Sequence, residues 1–147
     1  MKLSTRGRYG TRILLDLALN GENGPVPLKD IARRQDISLL YLERLVAPLK
    51  VAGLLRVARG AKGGATLLKP PEEIKLSTII QLMEGTISPA DCVTDPKVCS
   101  RSESCVTRDV WSELKEAMDG VLQSKTIQDL VDRQKRKSQS KESMYYI

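Results

Sequence analysis

Two short helical patterns separated only by Gln35-Asp36-Ile37 constrain this chain more than any other feature. The first, Pro27-Leu28-Lys29-Asp30-Ile31-Ala32-Arg33-Arg34, has Pro in its first turn, where a missing N–H costs no hydrogen bond. Ser38 is suited to cap a second helix from Leu39 to about Ala52, with Glu43 near its first turns. Leu42, Leu45, Val46 and Leu49 recur at helical spacing and form its buried stripe. Pro48 removes one backbone hydrogen bond from that helix and is expected to bend it. So tight a connection, with the second helix capped and polar on its outer face, describes a helix-turn-helix. Gly53 ends the second helix, and Leu54 to Arg59 reads as a strand. Gly60-Ala61-Lys62-Gly63-Gly64 turns it back into Ala65 to Lys69, a two-stranded wing. The expected fold is mainly α, a winged helix-turn-helix.

Upstream, Ser4 or Thr5 can cap a first helix, with Tyr9, Ile13, Leu14, Leu17 and Ala18 on one face and Arg6, Arg8 and Arg12 near the other. Asn20 to Pro25 has the turn chemistry to end it. The chain has no Phe, one Trp and four Tyr, so its core must come from Leu, Ile, Val and Ala, which suits packed helices. It also has no His. That removes Ser-His and Cys-His nucleophile pairs and every imidazole ligand, and no enzyme is expected.

The formal charge of +6 is unevenly placed. Residues 1–70 carry 13 Lys and Arg against 5 Asp and Glu, a net of +8, whereas residues 71–147 carry 11 against 13, a net of −2. A positive field confined to one region suits a polyphosphate partner, because each cation facing a phosphate releases condensed counterions.

Beyond Pro70-Pro71, a short helix is expected with Ser77 or Thr78 as cap and Ile79, Ile80, Leu82 and Met83 as apolar content. Residues 88–107 show no period and hold all three cysteines. A long helix from about Arg108 to Leu122 then carries Val110, Trp111, Leu114, Ala117, Met118, Val121 and Leu122 as a continuous stripe. That is more apolar surface than a small winged domain covers. Pairing with a second copy is the expected use, and an intramolecular core helix is the alternative. Thr126 with Asp129 resembles a cap for a last short helix through Leu130 and Val131. Residues 133–147 read as a basic flexible tail, although Met144-Tyr145-Tyr146-Ile147 is apolar enough to dock. Three regions follow: 1–70 for DNA binding, 71–132 for the cysteine loop and dimerisation helix, and 133–147 as tail. No run is long and apolar enough to span a membrane, and Met1 to Arg6 leads straight into charged sequence without a signal core. A cytoplasmic protein is expected.

Cys92, Cys99 and Cys105 form a C-x6-C-x5-C pattern within one polar loop. An odd number fits a disulfide framework poorly, and buried structural thiols usually sit in apolar elements. Three thiolates supply most of a tetrahedral shell for zinc or an iron-sulfur cluster. Zinc sites favour a close C-x2-4-C pair, which is absent, so the wider spacing suits a cluster better. The spacing does not separate a 2Fe-2S from a 4Fe-4S cluster, of which 2Fe-2S is the favoured expectation.

Together these stretches resemble the IscR family of iron-sulfur cluster regulators. The resemblance is carried by Leu3-Ser4-Thr5-Arg6-Gly7-Arg8-Tyr9-Gly10, by Ile37-Ser38-Leu39-Leu40-Tyr41-Leu42-Glu43-Arg44-Leu45, by Leu49 through Leu55, by Arg59-Gly60-Ala61-Lys62-Gly63-Gly64 and by the cysteine loop, and runs to about Leu130. It implies a homodimer on double-stranded operator DNA, with a cluster ahead of the dimerisation helix modulating affinity or site choice. Leu40, Tyr41 and Glu43 match residues facing the major groove, and Arg59 matches the wing residue that enters the minor groove. Arg6, Arg8, Leu28, Ser38, Arg44, Gly60, Lys62 and Gly63 complete the expected DNA-contacting set. A carboxylate at position 43 can accept from cytosine N4, and Arg suits a narrow, strongly negative groove.

Some family members place a His ligand three residues after the last cysteine, where this chain has Arg108. Asp91, Asp95, Glu103, Asp109, a hydroxyl or a side chain from a partner's N-terminal helix stay open as the fourth ligand. Both termini also resemble CymR, a cysteine-metabolism repressor of the same fold that works with a partner enzyme. Control by a regulatory protein is therefore an alternative, as is a cluster or zinc carrier that does not bind DNA.

Overall fold

The computed structural model describes residues 2–146, so Met1 and Ile147, the outermost residues of the two terminal motifs, lie outside it. Helix α1 spans Thr5–Asn20 and starts at Ser4, whose side chain accepts from the Gly7 N–H. Its inward stripe is Ile13, Leu14 and Leu17. Helix α2 (Leu28–Gln35) begins after Pro27, which is the N-cap residue and so lies one step outside the helix. Asp36 then adopts the left-handed conformation at φ 54°, which a short polar side chain tolerates, and this makes the turn tight. Ser38 caps helix α3 (Leu39–Val51) by accepting from the Tyr41 N–H at 3.1 Å. Leu42, Leu45, Val46 and Leu49 are all buried, and Pro48 lies within the helix.

Strands β1 (Leu55–Ala58) and β2 (Gly64–Leu67) pair antiparallel, with Leu55 opposite Leu67 and Ala58 opposite Gly64. Val26 bonds both ways to Ala65, at 2.9 and 2.8 Å, and so roots the hairpin in the segment ahead of α2. Gly64 permits that approach. A Cβ there would stand 2.4 Å from the Val26 carbonyl, and its φ of 151° is one that side chains disfavour.

Helix α4 (Leu76–Glu84) buries Ile79, Ile80 and Met83 as expected, but its N-cap is Lys75. Ser77 and Thr78 fall inside its first turn, because Leu76 N–H bonds to the Lys125 carbonyl and Ile127 N–H to the Ile74 carbonyl, both at 2.9 Å, fixing the helix start from outside. The cysteine segment is not wholly irregular: it holds a one-turn helix α5 (Asp91–Thr94) and a 3₁₀ turn, Pro96–Val98. Helix α6 (Val106–Ser124) follows, and helix α7 (Ile127–Tyr145) starts with a reciprocal Thr126–Asp129 capping box.

The expected flexible tail is instead the second half of α7. Its Lys, Arg, Gln and Glu residues are good helix formers, and the hydroxyls of Ser138, Ser140 and Ser143 fold back onto carbonyls four residues earlier, where they are accommodated without ending the helix. Met144, Tyr145 and Tyr146 do not dock; they are exposed at its end. One core joins α1 to α4, the hairpin and the start of α7, built on Ile13, Leu14, Ile31, Leu42, Leu49, Leu55 and Ile74, with Ile79 and Ile127 also fully buried, while α5 and α6 lie outside it. Among the described residues no helix is long and apolar enough to cross a membrane.

Candidate functional site

The capped start of α3 presents its outer face to solvent. Leu40 is 61% exposed, and Ser38, Glu43 and Arg44 are exposed beside it, whereas their neighbours Leu42 and Leu45 are buried. An apolar side chain left open at the start of a polar helix face has no use in the core. Tyr41 departs from the expected placement because it is half-buried. Its ring meets Tyr9 of α1 edge-on with centroids 6.2 Å apart, and the Arg12 guanidinium lies 5.1 Å from the Tyr9 centroid. This stack fixes the angle of α3 on α1 and is worth about 0.5–1.5 kcal/mol beyond its area. Sequence spacing did not identify Tyr9 and Arg12 as supports of the recognition surface.

Leu28 is also half-buried against the core. Its backbone N–H opens α2, which has no side-chain cap, so what this position offers to a ligand is a helix N-terminus. Arg6 and Arg8 are exposed on the first two turns of α1. In the wing, Arg59, Gly60 and Lys62 are exposed, and Gly63 N–H closes the turn onto the Gly60 carbonyl at 3.0 Å. A Cβ at Gly63 would lie 2.2 Å from the Ala58 carbonyl oxygen, so this turn requires Gly. The arrangement is a helix face and a thin basic hairpin on one small scaffold.

Beneath it lies a polar knot absent from the sequence reading. Asp16 is buried, yet its carboxylate accepts from Arg34 Nε at 2.9 Å, Arg34 Nη2 at 2.6 Å and Gln35 Nε2 at 2.9 Å. Gln35 in turn accepts from Arg12 Nε at 2.7 Å. The bond to Asp16 raises the Arg34 pKa above its ordinary value. The knot locks α2, the first helix of the pair, onto α1.

The three cysteines are placed on separate turns of one loop. Cys92 lies in α5, Cys99 follows the 3₁₀ turn, and Cys105 is the N-cap residue of α6. All are free thiols; Cys99 is exposed and the other two are half-buried. Ser102 is buried, and its hydroxyl lies 2.8 Å from the Pro96 carbonyl and 2.9 Å from that of Cys99, closing the loop on itself. Arg108 Nε donates to the Cys92 carbonyl at 2.9 Å and straps α5 to α6. The Cys105 thiol lies 3.1 Å from the Thr107 hydroxyl, whose hydrogen bond, with a further one from the Arg108 backbone, draws it below its ordinary pKa. As donors, three free thiols and no imidazole fit an iron-sulfur cluster. Their positions do not yet form a site: among the described residues, no three Cys, Asp or Glu side chains converge as a metal would need. Asp95 is occupied in capping the 3₁₀ turn at 3.1 Å, and Asp91, Glu103 and Asp109 are exposed.

No residue of α6 is buried. Trp111 is 41% exposed and Val121 59%, with Val110 and Leu114 also open. Met118, Val121 and Leu122 join Leu3 and Ile87 around an apolar groove of about 450 Å³.

A family model described as Rrf2, iron-dependent transcriptional regulator, matches residues 3–133. The chain is 42% identical over 130 residues to the HTH-type transcriptional regulator CymR of Bacillus subtilis, covering 88% of this chain and 89% of that one. It is 37% identical over 134 residues to the HTH-type transcriptional regulator IscR of Serratia proteamaculans, covering 91% and 81%. The solved structure of B. subtilis CymR, called the global cysteine regulator, superposes with a TM-score of 0.77 at 39% identity, over 90% of this chain and 98% of that one. These relatives are named as regulators, not enzymes, and the chain belongs to the Rrf2 family of transcriptional regulators.

Proposed function

We propose that the chain is a transcriptional repressor that binds operator DNA as a homodimer and responds to an iron-sulfur cluster held by Cys92, Cys99 and Cys105. The open face of α3 beside the glycine-built wing carries this reading. Leu40 offers an apolar contact to a thymine methyl, and Glu43 accepts from a cytosine N4 amine in the major groove. Arg59 enters the minor groove, while Ser38, Arg44, Lys62 and the Gly60 backbone N–H engage phosphates, and Gly63 keeps the wing turn closed for that approach. The uncapped α2 start at Leu28 donates its N–H to phosphate, and Arg6 and Arg8 add charge. Tyr41 acts chiefly by holding α3 in place. Pairing of Val110, Trp111, Leu114, Met118, Val121 and Leu122 with the same stripe of a second copy sets two half-sites about one helical turn, or a multiple of it, apart.

Three thiolates in one loop supply most of a cluster's ligands, with 2Fe-2S favoured over 4Fe-4S. When bound, the cluster supplies a link sensitive to iron and redox state. Ser102, bonded to the Pro96 and Cys99 carbonyls, and Arg108, bonded to the Cys92 carbonyl, would position the loop whose thiols hold the cluster. The likeness to CymR supports a second reading, in which a regulatory protein partner controls the same DNA-binding dimer.

Anaerobic purification with iron and sulfide analysis, beside a DNA-binding titration, tests both. Iron, sulfide and visible colour that disappear in Cys92→Ala, Cys99→Ala and Cys105→Ala, together with a changed operator affinity, are expected. Unchanged metal content and affinity in all three variants would eliminate the cluster. Arg59→Ala should weaken binding, and Glu43→Ala should relax base preference at one position of each half-site. An equal loss on specific and random DNA from the Glu43 change would contradict its role.

A further inference from the structure

The second half of α7 carries a concentration of exposed positive charge. Arg133, Arg136, Lys137 and Lys141 fall at three- and four-residue spacing and so share one face, whose base is Leu130 of α7 and Leu15 of α1. Together they border an open groove of about 580 Å³. All four cations are exposed, and none enters an ion pair among the described residues. Like charges at this spacing repel one another modestly, and a polyanion laid against the face would relieve that repulsion.

The groove also leads somewhere. Leu15 and Gln134 belong both to it and to an adjoining recess lined by Arg12, Asp16, Arg34 and Gln35. Arg12 rests over Tyr9, and Tyr9 meets Tyr41 of α3. Arg12 therefore borders both the Tyr9–Tyr41 pair and the recess that adjoins the α7 groove. The eight helical steps from Arg133 to Lys141 span about 12 Å. Over that length one DNA strand presents about three or four phosphates.

We propose that the basic face of α7 is a second, sequence-independent DNA surface, which grips phosphates flanking the bases met by α3. The proposal rests on the reading of α3 and the wing as a DNA interface. The place of Arg12, bordering both the recess and the Tyr9–Tyr41 pair, favours DNA over an acidic protein surface as the occupant.

The full chain and a variant combining Arg133→Gln, Arg136→Gln, Lys137→Gln and Lys141→Gln would be titrated against a random-sequence duplex at several salt concentrations. A second variant combining Arg133→Lys, Arg136→Lys, Lys137→Arg and Lys141→Arg keeps the charge, and circular dichroism confirms that both retain the helix. Each lost phosphate contact lowers the slope of log affinity on log salt by about 0.9, so the Gln variant, giving up about three or four contacts, should lose about 3 while the charge-keeping variant matches the parent. An unchanged slope in the Gln variant overturns the proposal. So does a Gln variant that keeps its DNA slope but loses binding to poly-L-glutamate, since the face would then serve an acidic protein. Arg59→Ala separates the two failures: if it weakens duplex binding while the Gln variant does not, the α7 surface alone is wrong. If the parent binds no duplex, the underlying reading falls.

Discussion

The Glu84 carboxylate accepts a 2.6 Å hydrogen bond from the Ser4 backbone N–H, 80 residues away in sequence. Glu84 ends α4, and Ser4 caps α1. The bond therefore pins the start of the helix that carries Arg6 and Arg8 to the last turn before the cysteine segment. The same carboxylate explains a helical glycine. A Cβ on Gly7 would fall 2.2 Å from Glu84 Oε1, so the two side chains compete for one space.

That competition predicts a coupled pair. Glu84→Ala should cost about 1 kcal/mol by removing a charged cap from the α1 start. Gly7→Ala alone should be close to neutral, because a gain of about 0.5–1 kcal/mol in helix propensity is offset as the carboxylate swings away from Ser4. In the Glu84→Ala background the same Gly7→Ala change should stabilise by about 0.5–1 kcal/mol. Urea denaturation of the four proteins of this cycle measures the coupling, and strict additivity would contradict the shared space.

The Asp16 knot predicts an Arg-specific effect. Arg34 makes a two-pronged contact with a carboxylate that is almost wholly buried, while its own side chain is 34% exposed. Breaking a fully buried pair costs about 3–5 kcal/mol, and partial exposure reduces this to about 2 kcal/mol for Arg34→Ala. Arg34→Lys should recover less than half of the loss, because one ammonium cannot reproduce the fork. Equal stability of the Lys variant and the parent would show that charge alone suffices.

Acid should release α7 at its start. The Thr126 backbone N–H, then its hydroxyl, holds the Asp129 carboxyl below its ordinary 3.8. A group whose folded pKa is depressed adds stability above its unfolded pKa, and the contribution is lost as pH falls through the folded value. Helix content followed by circular dichroism should therefore drop as pH falls below about 4, in a step absent from Asp129→Asn. A step of the same size in that variant would assign the loss to other carboxylates.

Much of this architecture was legible because it rests on local chemistry. Ser38, Gln35-Asp36-Ile37 and the Gly60–Gly64 turn place the helix pair and the wing by capping and turn preference, and Thr126 with Asp129 marks the start of α7. Where long-range contacts decide, the sequence was silent. Lys75 rather than Ser77 starts α4 because the Lys125 carbonyl holds Leu76, and Tyr41 turns inward because Tyr9, distant in sequence, receives it. Residues 133–145 lack an apolar period, so periodicity missed a helix sustained by the propensity of its Lys, Arg, Gln and Glu residues. The cysteine spacing indicates thiol chemistry, but Ser102 and Arg108, which shape the loop, carry no pattern of their own.

The open stripe of α6 makes the sharpest claim about assembly. If α6 were an intramolecular core helix, Trp111 and Val121 would be covered within one chain, yet both are exposed and no residue of the helix is buried. Val121→Glu places a charge on the groove shared with Leu3, Ile87 and Met118 without touching the core around Ile13 and Leu42. Sedimentation should find the parent at twice the chain mass and the variant at the chain mass of 16.3 kDa, with helix content retained. Losing the second half-site should then weaken specific operator binding by about a hundredfold or more, since linked sites gain that much from effective concentration. A parent protein that sediments as a monomer while binding its operator with full affinity would refute the pairing of α6.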